Sequence, residues 1–397
     1  MNALSINTGS SSVKFALFEK DRDDSLREGE ISWANGKRSR ARLVVWSRNG
    51  PKESSHVSVR NIQAATACAI KIALDSEPDG AAAIKAVGHR VVHGGMQFQE
   101  SVLINKKVKA VIEEMSQLAP LHNPAALKAI QTAETILPRA RQVAVFDTSF
   151  FSHLPPKRFV YPLPYHYYKI WGIRRFGFHG ISHAYCTRRA AELLNRPVAK
   201  LNLIICHLGS GCSAAAVQGG IGIATTLGFS PLDGLMMGTR PGSLDPGILL
   251  ALQQRGMSIK KIESDLNYSS GLLGVSGVSP DLADIEKAAG KGNQRAQLAF
   301  DMFADKVRAA IGSLAVTLGK VDALIFSDRH GENSPAMRAV VCEGLKLLNL
   351  RLDLKLNRNC HPDADVATAD SPGRILVIHT REELIIAREA MRVAFPP

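Results

Sequence analysis

Short runs of apolar residues recur along the chain, separated by glycine, serine and asparagine. The runs at 3–6, 203–206, 323–326 and 375–378 have the length of buried strands. The longer segment 296–318 has apolar residues at helical spacing. Because strands alternate with helices, the pattern predicts an α/β fold. The polar segment 327–333, which follows one of the predicted strands, is interpreted as a turn.

Two glycine- and serine-rich segments each separate a pair of predicted strands. The first is Asn-Thr-Gly-Ser-Ser-Ser at 7–12, and the second is His-Leu-Gly-Ser-Gly-Cys-Ser at 207–213. Glycine permits a tight turn and lets the backbone approach a ligand, while backbone N–H groups and serine hydroxyls bind anions. One such segment is typical of an ordinary β-hairpin. Two of them, at the start of two similar halves, indicate a duplicated fold that binds a polyphosphate.

The length of the chain, 397 residues, predicts two domains. A break near residue 150 fits the Pro155-Pro156 pair and the tyrosine- and proline-rich stretch that follows. The last helix is predicted to start at a capping box, Thr-Arg-Glu-Glu at 380–383, and to return to the first lobe. We therefore expect an acceptor-side lobe of residues 1–150 plus about 380–397, and a donor-side lobe of residues 151–379.

The net charge of +13 favours anionic ligands. Its densest run, Lys-Arg-Ser-Arg-Ala-Arg at 37–42, follows Asn35-Gly36, which is a strong hairpin-turn signal. We interpret this run as a solvated hairpin tip and expect no nucleic-acid partner, because no recognition motif for DNA or RNA accompanies it.

Neither a membrane span nor a signal peptide is predicted. No apolar run is long enough to cross a bilayer, and the first residues lack a basic region followed by an apolar stretch. The six cysteines, at positions 68, 186, 206, 212, 342 and 360, show no CxxC motif and no disulfide-like spacing. Reduced thiols of this kind are typical of a cytoplasmic protein, which is the location we expect.

Four charged or polar residues next to glycine or at strand ends are the best candidates for chemistry. They are Arg90, Asp147, His179 and Arg240. Two arginines beside two phosphate-binding turns fit phosphoryl transfer to an anionic acceptor, because a guanidinium binds carboxylate or phosphate with two hydrogen bonds. Each residue also has a structural interpretation: a surface ion pair for an arginine, a core position for His179, or the cap of a strand for Asp147.

Assembled, these segments resemble the acetate kinase family of the acetate and sugar kinase/Hsp70/actin superfamily, almost from end to end. The resemblance implies a two-domain actin-like ATPase fold with duplicated βββαβαβα-type cores. The most specific stretches are 7–15, the strand around Arg90, Leu-Ala-Pro-Leu-His-Asn-Pro at 118–124, 145–148, 176–180 and 228–246.

The resemblance also implies an activity and the roles of the four candidates. The activity is reversible phosphoryl transfer from ATP to acetate with Mg²⁺ or Mn²⁺, by a homodimer. Arg90 and Arg240 hold the carboxylate and the transferring phosphoryl group, and His179 donates to the oxygens of that group. We assign Asp147 to orienting the metal, its waters or Arg240 rather than to acid/base catalysis, because acetate is already ionised at neutral pH.

Further positions match the acceptor and donor sites of the family. The positions that place the metal are Asn7 and Glu382. Glu382 also has a structural interpretation, because an acid in a first helical turn complements the helix dipole. The pocket around the methyl group of the acid comprises Val92, Leu121, Phe178 and Pro231, and His122 is a further substrate-binding position. Those facing the donor phosphates are Ser10, Ser12, Lys14, His207, Leu208, Gly209, Ser210 and Gly211. Those around the nucleoside are Asp281, Leu282, Ala283, Arg329, His330, Gly331, Glu332 and Asn333.

Three departures from the family pattern concern the donor. Gly-Ser-Gly at 209–211 replaces Gly-Asn-Gly, Ala283 replaces an arginine, and Arg329-His330 replace a glycine and an aliphatic residue. Either the bulky pair turns outward and ATP binds, or the nucleoside site is closed and pyrophosphate and orthophosphate form the donor pair. The pattern is also compatible with propionate as the acceptor, and with a non-catalytic relative that binds an anion or a nucleotide. The retention of both arginines argues against the non-catalytic relative.

Overall fold

The computed structural model describes residues 1–9, 11–33, 40–48, 50–75 and 80–396. The chain divides into two compact units, the first formed by residues 1–152 with 381–397 and the second by residues 153–380. Ser10 and the hairpin turn predicted at Asn35-Gly36 lie outside the described residues. None of the described helices is both long and apolar enough to span a bilayer.

The first unit contains an eight-stranded sheet in the order β5-β4-β3-β2-β1-β6-β8-β7. Its strands are β1 (Asn2–Thr8), β2 (Ser12–Glu19), β3 (Ser25–Ser32), β4 (Ala41–Ser47), β5 (Glu53–Val57), β6 (Ile84–Val91), β7 (Val102–Leu103) and β8 (Arg141–Phe146). Its helices are α1 (Ile62–Leu74), α2 (Lys106–Glu114), α3 (Asn123–Ile136) and the C-terminal helix (Glu382–Ala394).

Strand β1 is buried along its whole length, because it lies between other strands of the sheet. It pairs antiparallel with β2, where Ile6 lies opposite Phe15, and parallel with β6, where Ile6 lies beside His89. Strand β6 in turn runs parallel to β8. The carboxyl ends of β1, β6 and β8 therefore share one edge of the sheet, which is where α/β folds place their polar sites.

The second unit contains a six-stranded sheet in the order β11-β10-β9-β12-β14-β13. Its strands are β9 (Asn202–Leu208), β10 (Cys212–Gln218), β11 (Ile221–Thr225), β12 (Ala323–Ser327), β13 (Ala364–Asp365) and β14 (Arg374–Ile378). Its helices are α4 (Pro156–Phe159), α5 (Tyr165–Trp171), α6 (Gly180–Leu193), α7 (Pro246–Gln254), α8 (Ile259–Tyr268), α9 (Gly271–Ser276), α10 (Leu282–Ala289), α11 (Gln294–Leu318), α12 (Asp328–Asn333), α13 (Pro335–Glu343) and α14 (Leu354–Arg358).

The two sheets repeat one arrangement of strands. In the first, the antiparallel strands β3, β2 and β1 are followed by the parallel strands β6 and β8. In the second, β11, β10 and β9 are followed in the same way by β12 and β14. The predicted α/β fold with duplicated cores is therefore confirmed.

Two local predictions are wrong. The segment 327–333 is not a simple turn, because α12 forms there and the Glu332 carboxylate accepts a hydrogen bond from the Asp328 N–H at 2.9 Å. The capping box at 380–383 does not form either. Arg381 is the N-cap and makes no side-chain cap, while the Thr380 hydroxyl is hydrogen-bonded to Ser182 at 2.9 Å. A partner almost two hundred residues away has replaced the local cap.

Candidate active site

In the first unit, polar side chains collect at the shared carboxyl edge of β1, β6 and β8. Asn7 lies near the end of β1, Arg90 near the end of β6, and Asp147 directly after β8. Glu382 and Glu383 occupy the first turn of the C-terminal helix. The sequence predicted the first four of these as site residues, and the structure brings them together within this unit.

Arg90 is the centre of the hydrogen-bond network in this group. Its Nη2 donates to Asp147 Oδ2 at 2.7 Å, and its Nε donates to the same oxygen at 3.1 Å. Its Nη1 donates to Asn7 Oδ1 at 3.2 Å. The Asn7 amide then donates to Glu382 at 3.0 Å and to Glu383 at 3.2 Å. The guanidinium is thereby fixed in one orientation before any ligand arrives.

Charge and burial reinforce this arrangement. Asp147 is fully buried, so its carboxylate depends on the guanidinium for compensation. Burial lowers the pKa of Arg90, but the negative charges of Asp147, Glu382 and Glu383 outweigh it and raise that pKa above its ordinary value. Arg90 is therefore permanently charged and available for an anion. Sequence reasoning missed the Arg90–Asp147 pair, since it linked Asp147 to the metal or to Arg240.

The positions predicted for Mg²⁺ supply suitable atoms. Glu382 offers a largely buried carboxylate and Asn7 an amide oxygen, and both are hard oxygen donors of the kind Mg²⁺ prefers. Mg²⁺ commonly takes one or two carboxylates and completes its shell with water and substrate phosphates, so these residues fit it. Among the described residues, no group of three or more His, Cys, Asp or Glu side chains is arranged to hold a metal.

In the second unit, the predicted phosphate turn connects β9 to β10. Gly209 N–H donates to the Gly211 carbonyl at 3.1 Å, which closes the turn. A Cβ atom at Gly211 would lie 2.9 Å from Arg240 Nη2 and 3.3 Å from His179 Nε2. The turn is therefore in close contact with the second arginine and the histidine that the sequence selected, and only glycine leaves them that space.

His179 is part of a group of three histidines. It precedes α6 in a left-handed conformation, with φ of 58°, and its Nδ1 is hydrogen-bonded to Ser213 Oγ at 3.0 Å. His183 Nε2 is hydrogen-bonded to the same hydroxyl at 2.9 Å. The rings of His179 and His207 lie 4.4 Å apart between centroids. Ser213 and His183 thus set the orientation of His179. Sequence reasoning missed both as site residues, although the spacing of four from His179 was a signal for His183.

Arg240 is held by the loop in which it lies. Its Nη1 donates to the Pro231 carbonyl at 2.9 Å, and burial lowers its pKa below the ordinary value. No carboxylate of the described residues forms an ion pair with it, and a partly buried guanidinium of this kind favours an incoming anion. The resemblance predicted Pro231 as a wall of the acid's pocket. In the structure its carbonyl accepts a hydrogen bond from Arg240 and so helps to orient that guanidinium.

The remaining acceptor residues are distributed over both units. Val92 is buried just beyond β6, and Leu121 and His122 are half-buried just before α3, all in the first unit. Phe178 is buried in the second unit, directly before His179. Among the phosphate-turn residues of the first unit, Lys14 is exposed on β2 opposite Asn7, and Ser12 is half-buried at the start of that strand.

The predicted nucleoside residues meet at α10 and α12. Arg329 forms an ion pair with Asp281, the N-cap of α10, and its side chain is 65% exposed. His330 is buried with its ring edge toward Phe303, and burial lowers its pKa. Ala283 donates its N–H to Asp281 at 3.0 Å. Two other predicted positions of these segments, Gly331 and Leu282, are buried. Glu332 pairs with His379, with Oε2 2.7 Å from Nδ1. Asn333 is the last residue of α12.

Comparisons with known proteins agree along nearly the whole chain. The sequence model of the acetokinase family matches residues 2–388. An acetate kinase of Cyanothece sp. is 45% identical over 403 residues, which cover 99% of this chain and 98% of the relative. An acetate kinase of Geobacillus kaustophilus is also 45% identical, with 98% of each chain covered.

Solved structures show the same likeness. The acetate kinase of Porphyromonas gingivalis superimposes with a TM-score of 0.88 at 38% identity, and 99% of each chain is covered. A propionate kinase of Francisella tularensis subsp. tularensis superimposes with a TM-score of 0.90 at 36% identity and the same coverage.

Proposed function

We propose that this chain, which belongs to the acetokinase family, is an acetate kinase that transfers the γ-phosphoryl group of ATP reversibly to acetate. The observation that carries the proposal is the full-length likeness to acetate kinases at about 45% identity. The products are acetyl phosphate and ADP.

The main barrier to this reaction is electrostatic. A carboxylate oxygen of acetate attacks the γ-phosphorus, the new P–O bond forms as the bond to ADP breaks, and no proton is transferred. Both reactants are anions, and the transition state spreads negative charge over the equatorial oxygens of the phosphoryl group. Positive groups fixed in advance lower this barrier, because they need no reorganisation when charge develops.

The two arginines have the properties that this role requires. Arg90 is oriented by Asp147 and Asn7, and Arg240 by the Pro231 carbonyl. We assign the acetate carboxylate and the transferring phosphoryl group to these two guanidinium groups. His179, held by Ser213, donates to the phosphoryl oxygens. Asp147 acts as a positioning residue for Arg90, since acetate has no proton to give up at neutral pH.

We assign the metal to Asn7 and Glu382. Mg²⁺ bound there would neutralise part of the charge on the donor phosphates. The interaction of Asn7 with Glu382 and Glu383 holds the oxygen donors of this group close to Arg90. We assign the donor phosphates to the two glycine- and serine-rich turns and to the exposed Lys14 ammonium group on β2.

We further propose a homodimer in the cytoplasm. Large apolar side chains are exposed on short helices of the second unit, namely Ile170 and Trp171 on α5, Leu250 on α7 and Ile259 on α8. A contiguous patch of such residues would be typical of a covered surface. All six cysteines are unpaired, as expected in a reducing compartment. Light scattering coupled to size exclusion would give the mass of the particle, and a monomer at micromolar concentration would contradict the dimer.

The activity is tested by trapping the acyl phosphate with hydroxylamine. The purified protein is incubated with Mg²⁺, ATP and either acetate or propionate, and the hydroxamate is measured. We expect hydroxamate from both acids with a higher kcat/KM for acetate, since one methylene changes binding by about 1–3 kcal/mol. Arg240→Ala serves as the inactive control. No hydroxamate from either acid would overturn the proposed function, and a preference for propionate would reassign the acceptor.

A further inference from the structure

The donor side of the second unit carries a carboxylate in an unexpected place. Asp328 follows β12 and begins α12, and its backbone is left-handed with φ of 64°. This conformation is uncommon for residues other than glycine, although aspartate and asparagine adopt it more readily than most. With this backbone conformation, the side chain of Asp328 contacts the phosphate turn at Gly209.

The carboxylate of Asp328 lies directly over Gly209. A Cβ atom built on Gly209 would be 1.9 Å from Asp328 Oδ2, so the oxygen occupies the space above this glycine. The same oxygen is 3.1 Å from His207 Nε2, at the start of the turn. A turn suited to hold a phosphate therefore already holds an anion that belongs to the protein.

The two ends of this turn carry opposite charges. Gly211 lies against the guanidinium of Arg240 and the ring of His179, whereas Gly209 lies against the carboxylate of Asp328. A polyphosphate that follows the turn with its transferring phosphate beside Arg240 would place its next phosphate beside Asp328. Two like charges at such a short distance repel strongly outside bulk water.

We propose that Asp328 weakens the binding of the phosphoryl donor by competing with it for the phosphate turn. It occupies the place of a non-transferring donor phosphate, and its carboxylate must leave Gly209 when the donor binds. The carboxylate therefore lowers the affinity for ADP, ATP and pyrophosphate without acting on the acceptor. The inference rests on the proposed function for the identity of the donor, but the contact between Asp328 and the turn does not depend on it.

The test compares Asp328→Asn with the wild type. Asparagine keeps the size of the side chain and tolerates the left-handed backbone, so this variant removes only the charge. We expect the KM for ATP and the Kd for ADP and for pyrophosphate, measured by calorimetry without acetate, to fall at least about fivefold. The KM for acetate should stay within about twofold. Asp328→Gly, which removes the side chain from Gly209 altogether, should lower the Kd values at least as far.

Asp370→Asn is the matched control, because Asp370 is an exposed carboxylate of the same unit that pairs with Arg351. It should leave all three affinities unchanged. Unchanged Kd values in both Asp328 variants would overturn the proposal, and so would weaker binding, which would mean that Asp328 contributes to holding the donor. Failure of the proposed function is seen separately, as a wild type that forms no acyl phosphate, while the calorimetric comparison still tests Asp328.

Discussion

The guanidinium of Arg90 and the carboxylate of Asp147 form a fork of hydrogen bonds that joins the ends of two parallel strands. Nη2 and Nε of Arg90 both donate to Asp147 Oδ2, at 2.7 Å and 3.1 Å, and the carboxylate is fully buried. A charge pair of this geometry fixes the direction of the arginine more than it stabilises the fold, because burial of both charges offsets much of their attraction. It gives the first unit a preset anion-binding group.

The first prediction concerns Arg90 itself. Arg90→Ala should lower kcat for acetyl phosphate formation by at least about a hundredfold, because a positive donor fixed in advance is lost. Arg22→Ala, which removes an exposed arginine paired with Asp24 in the same unit, is the control and should keep the wild-type rate. Steady-state kinetics on folded protein decide the matter, and a rate near wild type in Arg90→Ala would exclude the proposed mechanism.

The second prediction separates positioning from acid/base catalysis at Asp147. Asp147→Asn should lower kcat at every pH without changing the shape of the pH–rate profile, since the residue only orients Arg90. It should also destabilise the fold by about 3 kcal/mol, because Arg90 loses the nearest of the carboxylates that compensate its buried charge. The measurements are a pH–rate profile and denaturant unfolding. The loss of one limb of the profile in the variant would show instead that Asp147 exchanges a proton.

The third prediction uses two glycines with opposite surroundings. Gly211→Ala places a methyl group 2.9 Å from Arg240 Nη2 and 3.3 Å from His179 Nε2, so both side chains must move. We expect kcat to fall at least about tenfold. Gly312→Ala in α11 is the matched control, because its added Cβ would have no atom of the described residues within 4 Å beyond the adjacent residues and backbone of its own helix. The control should be active and slightly more stable, by about 0.5–1 kcal/mol. Equal rates in the two variants would contradict the contact.

The fourth prediction is the pH dependence of stability from His89. Its Nε2 is hydrogen-bonded to Gln142 at 2.8 Å, and burial lowers its pKa to about 4. The unfolded chain takes up a proton near pH 6.5, and the folded chain does so only near pH 4. The contribution of neutral His89 to the free energy of unfolding should therefore be complete above pH 6.5. It should be lost as the pH falls from 6.5 to about 4, and this loss lowers the free energy of unfolding by up to roughly 3 kcal/mol.

Urea unfolding at several pH values measures this effect. His89→Gln should show a smaller loss between pH 6.5 and 4 than the wild type, because one titrating group is gone. His56→Gln, at an exposed histidine of the same unit, should follow the wild-type curve. If all three proteins show the same loss, His89 is not the group responsible.

The last prediction concerns the donor. Acetyl phosphate breakdown should be fast and saturable with ADP and should give no pyrophosphate with orthophosphate. The reason is that Arg329 is exposed and paired with Asp281, so this member of the bulky pair lies at the surface, although His330 is buried. Arg329→Ala should change the KM for ADP by less than about threefold. Pyrophosphate production, or a large gain in ADP affinity in this variant, would indicate a closed nucleoside site.

Local sequence patterns are enough to predict the fold class and the positions of the chemical groups. Apolar runs, helical spacing and two glycine-rich turns depend on neighbouring residues only, and they correctly predicted β1, β9, α11 and both hairpins. The charged residues at strand ends were also visible, because strand ends follow from the same local patterns. Their roles in catalysis stay predictions, as do the two lobe boundaries and the metal positions.

Which side chains contact each other depends instead on the pairing and register of distant strands. Arg90 pairs with Asp147 because parallel pairing of β6 and β8 brings their ends together across 57 residues of chain. Asp328 reaches Gly209 because β12 lies beside β9. The capping box failed for the same reason, since Thr380 found a distant partner in Ser182. Strand register and a left-handed residue set these contacts, and neither is contained in the local pattern of apolar and polar residues.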